Sequence, residues 1–143
     1  MKKLLVVPAL LLLLTGCGSN KLECTMEKEE SGVKMIGTAV MAFDKDEITH
    51  TEVTMDVTIP DEYKSMSDLM MSSLTSTYDE YKEYGAEVSV EKKSDSRILA
   101  KIAFDTSKLS KENLEKLEKE SMYFKGTKDE VKQAMEKEGF TCK

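Results

Sequence analysis

The stretch that decides the fold is residues 33–59, which read VKMIGTAVMAFDKDEITHTEVTMDVTI. In both halves of this stretch, apolar residues recur at odd-numbered positions: Val33, Met35, Ala39, Met41, Phe43, Val53, Met55, Val57 and Ile59. A period of two is typical of β-strands that bury one face. The segment Asp44-Lys45-Asp46 between the halves has the composition of a turn. The stretch therefore predicts two consecutive strands of an antiparallel sheet.

The sequence on either side of this stretch extends the sheet and predicts one long helix. A first strand is expected at residues 22–28, and a hairpin of two further strands at residues 86–90 and 98–104. Ahead of the hairpin, Pro60-Asp61-Glu62 begins a helix of about 22 residues that Gly85 ends. An apolar stripe runs along this helix: Tyr63, Met66, Met70, Leu74, Tyr78 and Tyr81. Such a stripe is expected for a helix that lies on a sheet.

Two shorter helices with clear start signals follow the hairpin. Ser110 is the predicted cap of the first, and Thr127-Lys128-Asp129-Glu130 is a capping box for the second. Gly139 is expected to end the second helix, with Phe140 folding back on Met135. The predicted order is β-β-β-α-β-β-α-α. We therefore expect an α+β fold, in which an antiparallel sheet of about five strands carries the long helix on one face and is followed by two C-terminal helices.

The second face of the predicted sheet is partly apolar. Its apolar members are Ile36, Val40, Ala42, Leu99 and Ala103. Either the two C-terminal helices cover this face, or it is an exposed apolar patch through which the protein docks on a partner.

Residues 1–16 are predicted to be a cleaved secretory leader. Met1-Lys2-Lys3 is basic, and the 11 residues from Leu4 to Leu14 are too few for a membrane-spanning helix, which needs about 20. The next residues, Leu14-Thr15-Gly16-Cys17, resemble the lipobox of bacterial lipoproteins. In that motif a peptidase cuts before the cysteine, whose sulfur carries a diacylglyceryl group. The alternatives are an ordinary leader that removes Cys17, or a buried core helix over residues 4–14.

Cleavage before Cys17 would leave 127 residues, with a lipidated cysteine and short leash over residues 17–21 and one globular domain over residues 22–143. Two or three acyl chains anchor a protein stably, so we expect it on the extracytoplasmic side of the cell membrane. Loss of Lys2 and Lys3 changes the formal net charge from −6 to −8. Such a surface repels anionic headgroups, so the lipid alone would hold the protein at the membrane. It also repels phosphate backbones, so nucleic acid is not an expected partner.

Two cysteines remain after Cys17. Cys24 and Cys142 lie near the two ends of the domain, in a chain destined for a compartment outside the cytosol. We predict that they form a disulfide, with two free thiols as the alternative. A catalytic or metal-binding thiol is disfavoured because no second Cys or His is close in sequence. Closing a loop of this length contributes about 4 to 5 kcal/mol in the chain-entropy model, so loss of the pair should loosen both termini.

A family resemblance adds to this interpretation. The Leu14–Cys17 lipobox, the sheet–helix–hairpin order and the ending from Gly126 to Cys142 together resemble the YehR-like family of small bacterial lipoproteins. The resemblance covers most of the chain after the leader and rests on pattern and length. It implies a small, secreted, lipid-anchored domain and carries over no catalytic or cofactor-binding residue.

The strongest candidate for chemistry is the polar side of the third strand. His50, Glu52 and Asp56 share that side, and His50 and Glu52, about 6.6 to 7 Å apart, could reach one cation. The alternative is an ordinary solvated strand face, which we favour. One histidine without a placed carboxylate makes no catalytic triad, and the sequence has neither a Gly-x-Ser-x-Gly elbow nor a phosphate-binding glycine loop. We therefore predict no catalytic residue, no metal site and no cofactor.

Nine methionines follow Met1, most of them at core positions of the predicted elements. They would either fill the core flexibly, which we favour, or line an adaptable pocket or soft-metal site. The tyrosines of the long helix, Tyr63, Tyr78, Tyr81 and Tyr84, would either pack on the sheet or line a groove. We expect a non-enzymatic binding module at the cell envelope, whose partner is an envelope protein, a peptide or a small ligand. The alternative is an envelope enzyme or weak metal-binding protein that uses His50, Glu52 and Asp56.

Overall fold

The structure, a computed structural model, describes residues 20–120 and 122–143. Its strands are β1 (Lys21–Glu30), β2 (Val33–Asp44), β3 (Glu47–Thr58), β4 (Glu87–Ser94), β5 (Arg97–Asp105) and β6 (Thr141–Cys142). Its α-helices are α1 (Ser67–Asp79), α2 (Lys111–Lys119) and α3 (Lys128–Lys137). Within the described residues, no helix is long and apolar enough to cross a membrane. The predicted leader, residues 1–16, and the predicted lipidation site, Cys17, lie outside the described residues.

The six strands form one antiparallel sheet in the order β4-β5-β3-β2-β1-β6. The predicted α+β class is confirmed, and the five predicted strands are present. The sixth strand, β6, was not predicted, because two residues are too short to show a period. β6 lies beside β1, where Glu23 and Lys143 exchange two backbone hydrogen bonds of 3.1 and 2.9 Å.

The predicted disulfide between Cys24 and Cys142 is confirmed. The two residues face each other across β1 and β6, with their Cα atoms 4.1 Å apart. They flank the hydrogen-bonded pair Glu23 and Lys143, and antiparallel strands approach most closely at the alternate, non-hydrogen-bonded pairs. Cys24 is fully buried in the core beneath α3. The bond therefore joins the first and last strands from inside the core.

The long helix is shorter than predicted. Regular α-helix covers only Ser67–Asp79, and 3-10 turns cover Asp61–Met66 and Glu80–Tyr84 on either side. The ends of the segment carry tighter i→i+3 bonds, from the Tyr63 N–H to the Pro60 carbonyl oxygen at 2.9 Å and from the Gly85 N–H to the Lys82 carbonyl oxygen at 3.0 Å. Most of the predicted stripe packs on the sheet, but Met66 is exposed. Gly85 ends the segment in the predicted left-handed conformation, with φ of 91°.

The predicted signals of the C-terminal helices are confirmed. The Ser110 side chain accepts a hydrogen bond from the Asn113 backbone, and Thr127 and Glu130 form a complete capping box. After α3, Gly139 has φ of 98° and the Phe140 N–H donates to the Met135 carbonyl at 3.1 Å. This turn directs the chain back to β1.

All three helices lie on the same face of the sheet. Met41 pairs with Thr51 and Thr51 with Phe104, so residues beneath α3 and residues beneath α2 belong to one row of side chains on one face. The C-terminal helices therefore leave the second face uncovered. On that open face, ion pairs between neighbouring strands separate the half-buried apolar residues, so it is not one continuous apolar patch.

Candidate binding site

The helices leave a cleft over the middle of the sheet. On one side, α1 packs over β4 and β5, and on the other α3 packs against β1 and β6. Between them lies a cavity of about 200 Å³, with residues of β1, β2 and β3 beneath it. Side chains of α3 and of the segment after α2 form its sides, including Met135, Met122 and Tyr123. The cleft is therefore a product of helix placement on a continuous sheet.

Small residues of β2 make room for the cavity. Gly37 and Ala39 both line it, and they lie on the helix-bearing face of the strand. A Cβ placed on Gly37 would meet only the Met26 carbonyl oxygen, at 3.9 Å, which is ordinary contact. The conformation of Gly37 is one that other residues adopt, since its φ is not positive. Neither backbone geometry nor crowding requires a glycine here. The missing side chain of Gly37 instead leaves open space in the cleft.

Of the nine methionines among the described residues, five line the cleft: Met26, Met41, Met55, Met122 and Met135. Met41 and Met135 are buried, whereas the other three are partly exposed. Unbranched thioether side chains change rotamer readily and adapt to ligands of different shape. Of the two interpretations of the methionines, core filler and adaptable pocket, the geometry supports the pocket for these five.

The cleft contains an unpartnered buried hydroxyl. Thr51 on β3 lines it and is only 7% exposed, and its Oγ1 has no hydrogen-bond partner among the described residues. A buried hydroxyl without a partner costs about 1 to 3 kcal/mol. Such a group is therefore expected where another molecule supplies the missing bond.

The mouth of the cleft carries aromatic rings and one carboxylate. The Tyr123 hydroxyl donates a 2.6 Å hydrogen bond to Glu138 Oε1, and both residues line the cleft together with Phe140. The bond to the carboxylate, together with partial burial, raises the pKa of Tyr123 above its usual range. Tyr123 therefore stays protonated and holds the carboxylate at the mouth.

A larger depression at one end of the sheet is a weaker candidate. It measures about 440 Å³ and is lined by Ile48, Thr106 and Phe124 among others. Its threonine hydroxyl already bonds to backbone, since Thr106 Oγ1 lies 2.8 Å from the Ile48 carbonyl oxygen and 3.1 Å from that of Thr49. Because this hydroxyl is already paired, it does not call for a ligand as Thr51 does.

The predicted polar side of β3 exists, but its carboxylates are already paired. His50, Glu52 and Asp56 share the open face, and Arg97 binds Asp56 through two bonds of 3.0 and 2.6 Å. Lys101 lies 2.8 Å from Glu52. Six residues of strand separate His50 from Asp56 by about 20 Å, so one cation cannot reach both. Among the described residues, no three His, Cys, Asp or Glu side chains are grouped as metal ligands.

The helix tyrosines pack instead of lining a groove. Tyr81 makes an edge-to-face contact with Phe104 at 6.3 Å between ring centroids, and Tyr78 is buried beside it. Burial raises the pKa of Tyr78 above its ordinary value. Tyr63 packs against the cluster around Val57. The packing interpretation of these residues is therefore confirmed.

A methionine-lined pocket was one alternative that the sequence offered, but the other key residues of the cleft were not identified from it. Two signals were present: Gly37 is a glycine inside a strand, and Thr51 is a polar residue at a core position of β3. Glu138 gave no signal, because an acidic residue at the end of a charged helix is ordinary. Its role depends on tertiary structure that brings Tyr123 to it.

No protein-family model matches the chain, and no curated protein matches it. A solved structure with a similar fold is the NMR structure of a protein from Streptococcus pneumoniae TIGR4. The TM-score is 0.56 at 13% sequence identity, and the match covers 86% of this chain and 84% of that chain. A likeness at this identity establishes the fold alone. The function must therefore be argued from the cleft and the N-terminal sequence.

Proposed function

We propose that this chain is a lipid-anchored lipoprotein of the YehR-like type, held on the extracytoplasmic side of the cell membrane, and that its domain is a non-enzymatic binding module for a small apolar ligand. The observation that carries the binding role is the methionine-lined cleft, which combines open space with an unpartnered buried hydroxyl. Ligand pockets are typically concave and apolar, with few polar groups that fix orientation.

Two features support the proposed location. The basic start, the apolar run and the lipobox at Leu14–Cys17 have the order of a lipoprotein leader. The Cys24–Cys142 disulfide suits a compartment outside the reducing cytosol. β1 begins at Lys21, four residues after Cys17, so the leash would span at most about 14 Å. A lipidated domain would therefore sit close to the membrane surface.

Space and chemistry support the binding role. An engineered apolar cavity of about 150 Å³ binds benzene, so a cavity of about 200 Å³ suits one ring or a short alkyl chain. A ligand there would bury apolar surface against the methionines, at about 25 cal/mol per Å². A polar atom on the ligand could also satisfy Thr51.

Anchoring is tested in the native bacterium by labelling with a palmitate analogue. We expect the label on the wild-type protein, and a variant with Cys17→Ala should stay unlabelled and lose its membrane fraction. An unlabelled wild-type protein, or one that retains residues 1–16 by intact mass, would contradict the proposed anchor.

Binding is tested on the secreted chain from residue 17 with Cys17→Ala, which contains every described residue. Methionine methyl groups labelled with ¹³C report directly on the site, and the neutral probe is toluene, a single ring of the size that the cavity suits. We expect the signals of Met26, Met55 and Met122 to shift, while those of Met66 and Met70, outside the cleft, stay in place. Shifts in neither group up to the solubility limit would contradict the binding role.

A further inference from the structure

The lining of the cleft carries information on the charge of its ligand, an inference that rests on the proposed function. Among the described residues that line the cleft, Glu138 alone is charged, and none is Lys, Arg or His. A ligand with a free carboxylate or phosphate would place its charge beside Glu138, and the lining of the cleft supplies no cation to compensate. Like charges at close range repel, so anionic amphiphiles are disfavoured.

The same mouth has the composition of a cation site. Tyr123 and Phe140 supply aromatic rings, and Glu138 supplies a carboxylate held by the Tyr123 hydroxyl at 2.6 Å. Ring faces attract ammonium groups electrostatically, and rings with an acidic neighbour are a common way to bind substituted ammonium ions. The rings and the carboxylate therefore favour the same sign of charge.

The interior of the cleft determines the chemistry of the part of the ligand that lies below the mouth. Beneath the mouth lie apolar residues such as Ala39, Val53 and Met55, with Gly37 leaving space between them. This part accepts a short alkyl chain or a single ring and offers little to a polar group except Thr51. A sugar or a polar peptide would leave most of its hydrogen bonds unmade here.

We propose that the cleft binds a small organic cation with a short apolar tail, whose head lies at Tyr123, Phe140 and Glu138 and whose tail lies among the methionines. The head is a protonated or quaternary amine. The tail has the bulk of one ring or a short alkyl chain. A polar atom on the tail that reached Thr51 Oγ1 would supply the bond this hydroxyl lacks.

The test compares ligands with the same tail and different heads: octyltrimethylammonium, octanol and octanoate. Affinities for the secreted chain with Cys17→Ala are measured from the methionine methyl shifts. In the otherwise wild-type chain at low salt, we expect the cation to bind at least tenfold more tightly than octanoate. Because screening weakens exposed charges, this ratio should fall in 0.5 M NaCl.

Two variants separate the local carboxylate from the net charge of the domain. Glu138→Gln should reduce the ratio to less than threefold and leave octanol binding unchanged. Glu136→Gln removes the same charge from the last turn of α3, two residues before Glu138 and outside the cleft lining, so it should keep the full ratio.

The outcomes of this test are distinct. Equal binding of octyltrimethylammonium and octanoate, or an equal loss of preference in Glu138→Gln and Glu136→Gln, would overturn the cation assignment and leave the binding module intact. If neither the three octyl ligands nor toluene shifts the methionines of the cleft, the proposed function itself fails.

Discussion

The two faces of the sheet, built from the same strands, treat their polar groups in opposite ways. On the open face, carboxylates have cross-strand partners, as in the pair of Asp56 with Arg97 and the pair of Glu52 with Lys101. On the helix-bearing face, Thr51 is buried without a partner beside a cavity. The open face is complete without another molecule, whereas the helix-bearing face is not. Departures from local consistency are expected at functional sites, so the difference directs attention to the cleft.

Truncating a large side chain on each face should have the largest effect and the clearest contrast. Phe104 is fully buried beneath α2 and contacts Phe124, whereas Leu99 is half-buried on the open face. We expect Phe104→Ala to lower the free energy of unfolding by about 3 to 5 kcal/mol and Leu99→Ala by about 1 kcal/mol. Urea unfolding measures both. Equal losses would mean that the open face is buried against something in solution.

The disulfide joins β1 and β6 at one edge of the sheet. Replacing Cys24 and Cys142 together with Ala should cost about 2 to 5 kcal/mol, because the unfolded chain loses a constraint across 118 residues. Hydrogen exchange should show the largest loss of protection in β1, β6 and α3, with β4 and β5 little changed. Uniform loss across the sheet would contradict the local role of this edge.

Removing the unpartnered hydroxyl of Thr51 should stabilise the protein. Thr51→Val removes a buried group that lacks a hydrogen bond, so we expect a gain of about 1 kcal/mol in the free energy of unfolding. Thr54→Val makes the same change on the open face of the same strand and should be nearly neutral. Thermal unfolding of the two variants, side by side, measures the contrast. A destabilised Thr51→Val variant would show that the hydroxyl has a partner in solution.

The smallest effect concerns acid stability on the open face. The bond from Arg97 holds the pKa of Asp56 below its ordinary value. A carboxyl with a depressed folded pKa contributes stability above its unfolded pKa of about 3.9, and this stability is lost as the pH falls through the folded value. Because Arg97 is half exposed, Asp56→Asn should cost less than about 1 kcal/mol at pH 7 and progressively less as the pH falls through the folded pKa of Asp56. A cost that grows toward low pH would contradict the sign.

Much of the fold could be predicted because it follows from local rules. The alternation in residues 33–59 gave two strands, and the capping box at Thr127 gave the start of α3. The disulfide followed from compartment and cysteine count. By contrast, the ends of α1 depend on where tighter i→i+3 bonds replace the α-helical ones, and β6 depends on the register with β1. The periodicity of the sequence indicates neither the ends of α1 nor the position of β6.

The cleft could not be predicted for a different reason. It exists because α2 and α3 pack on the same face as α1 and do not meet over β2 and β3. An amphipathic sequence pattern predicts that a helix packs on a sheet, but it does not predict which face of the sheet the helix covers. Glu138 and Tyr123 are 15 residues apart, and only the packed structure brings them together. Gly37 and Thr51 indicate a cleft only once it is known that the helices cover their face of the sheet.

The most direct test of the central claim fills the cleft without damaging the fold. Gly37→Val places a β-branched side chain into open space on a strand, where it should raise the free energy of unfolding by about 0.5 to 1 kcal/mol. Measured on the same sample by methionine methyl NMR, binding of octyltrimethylammonium and toluene should disappear. A more stable protein that no longer binds is the predicted result. A Gly37→Val protein that binds these ligands with wild-type affinity would contradict the assignment of the cleft as the ligand site.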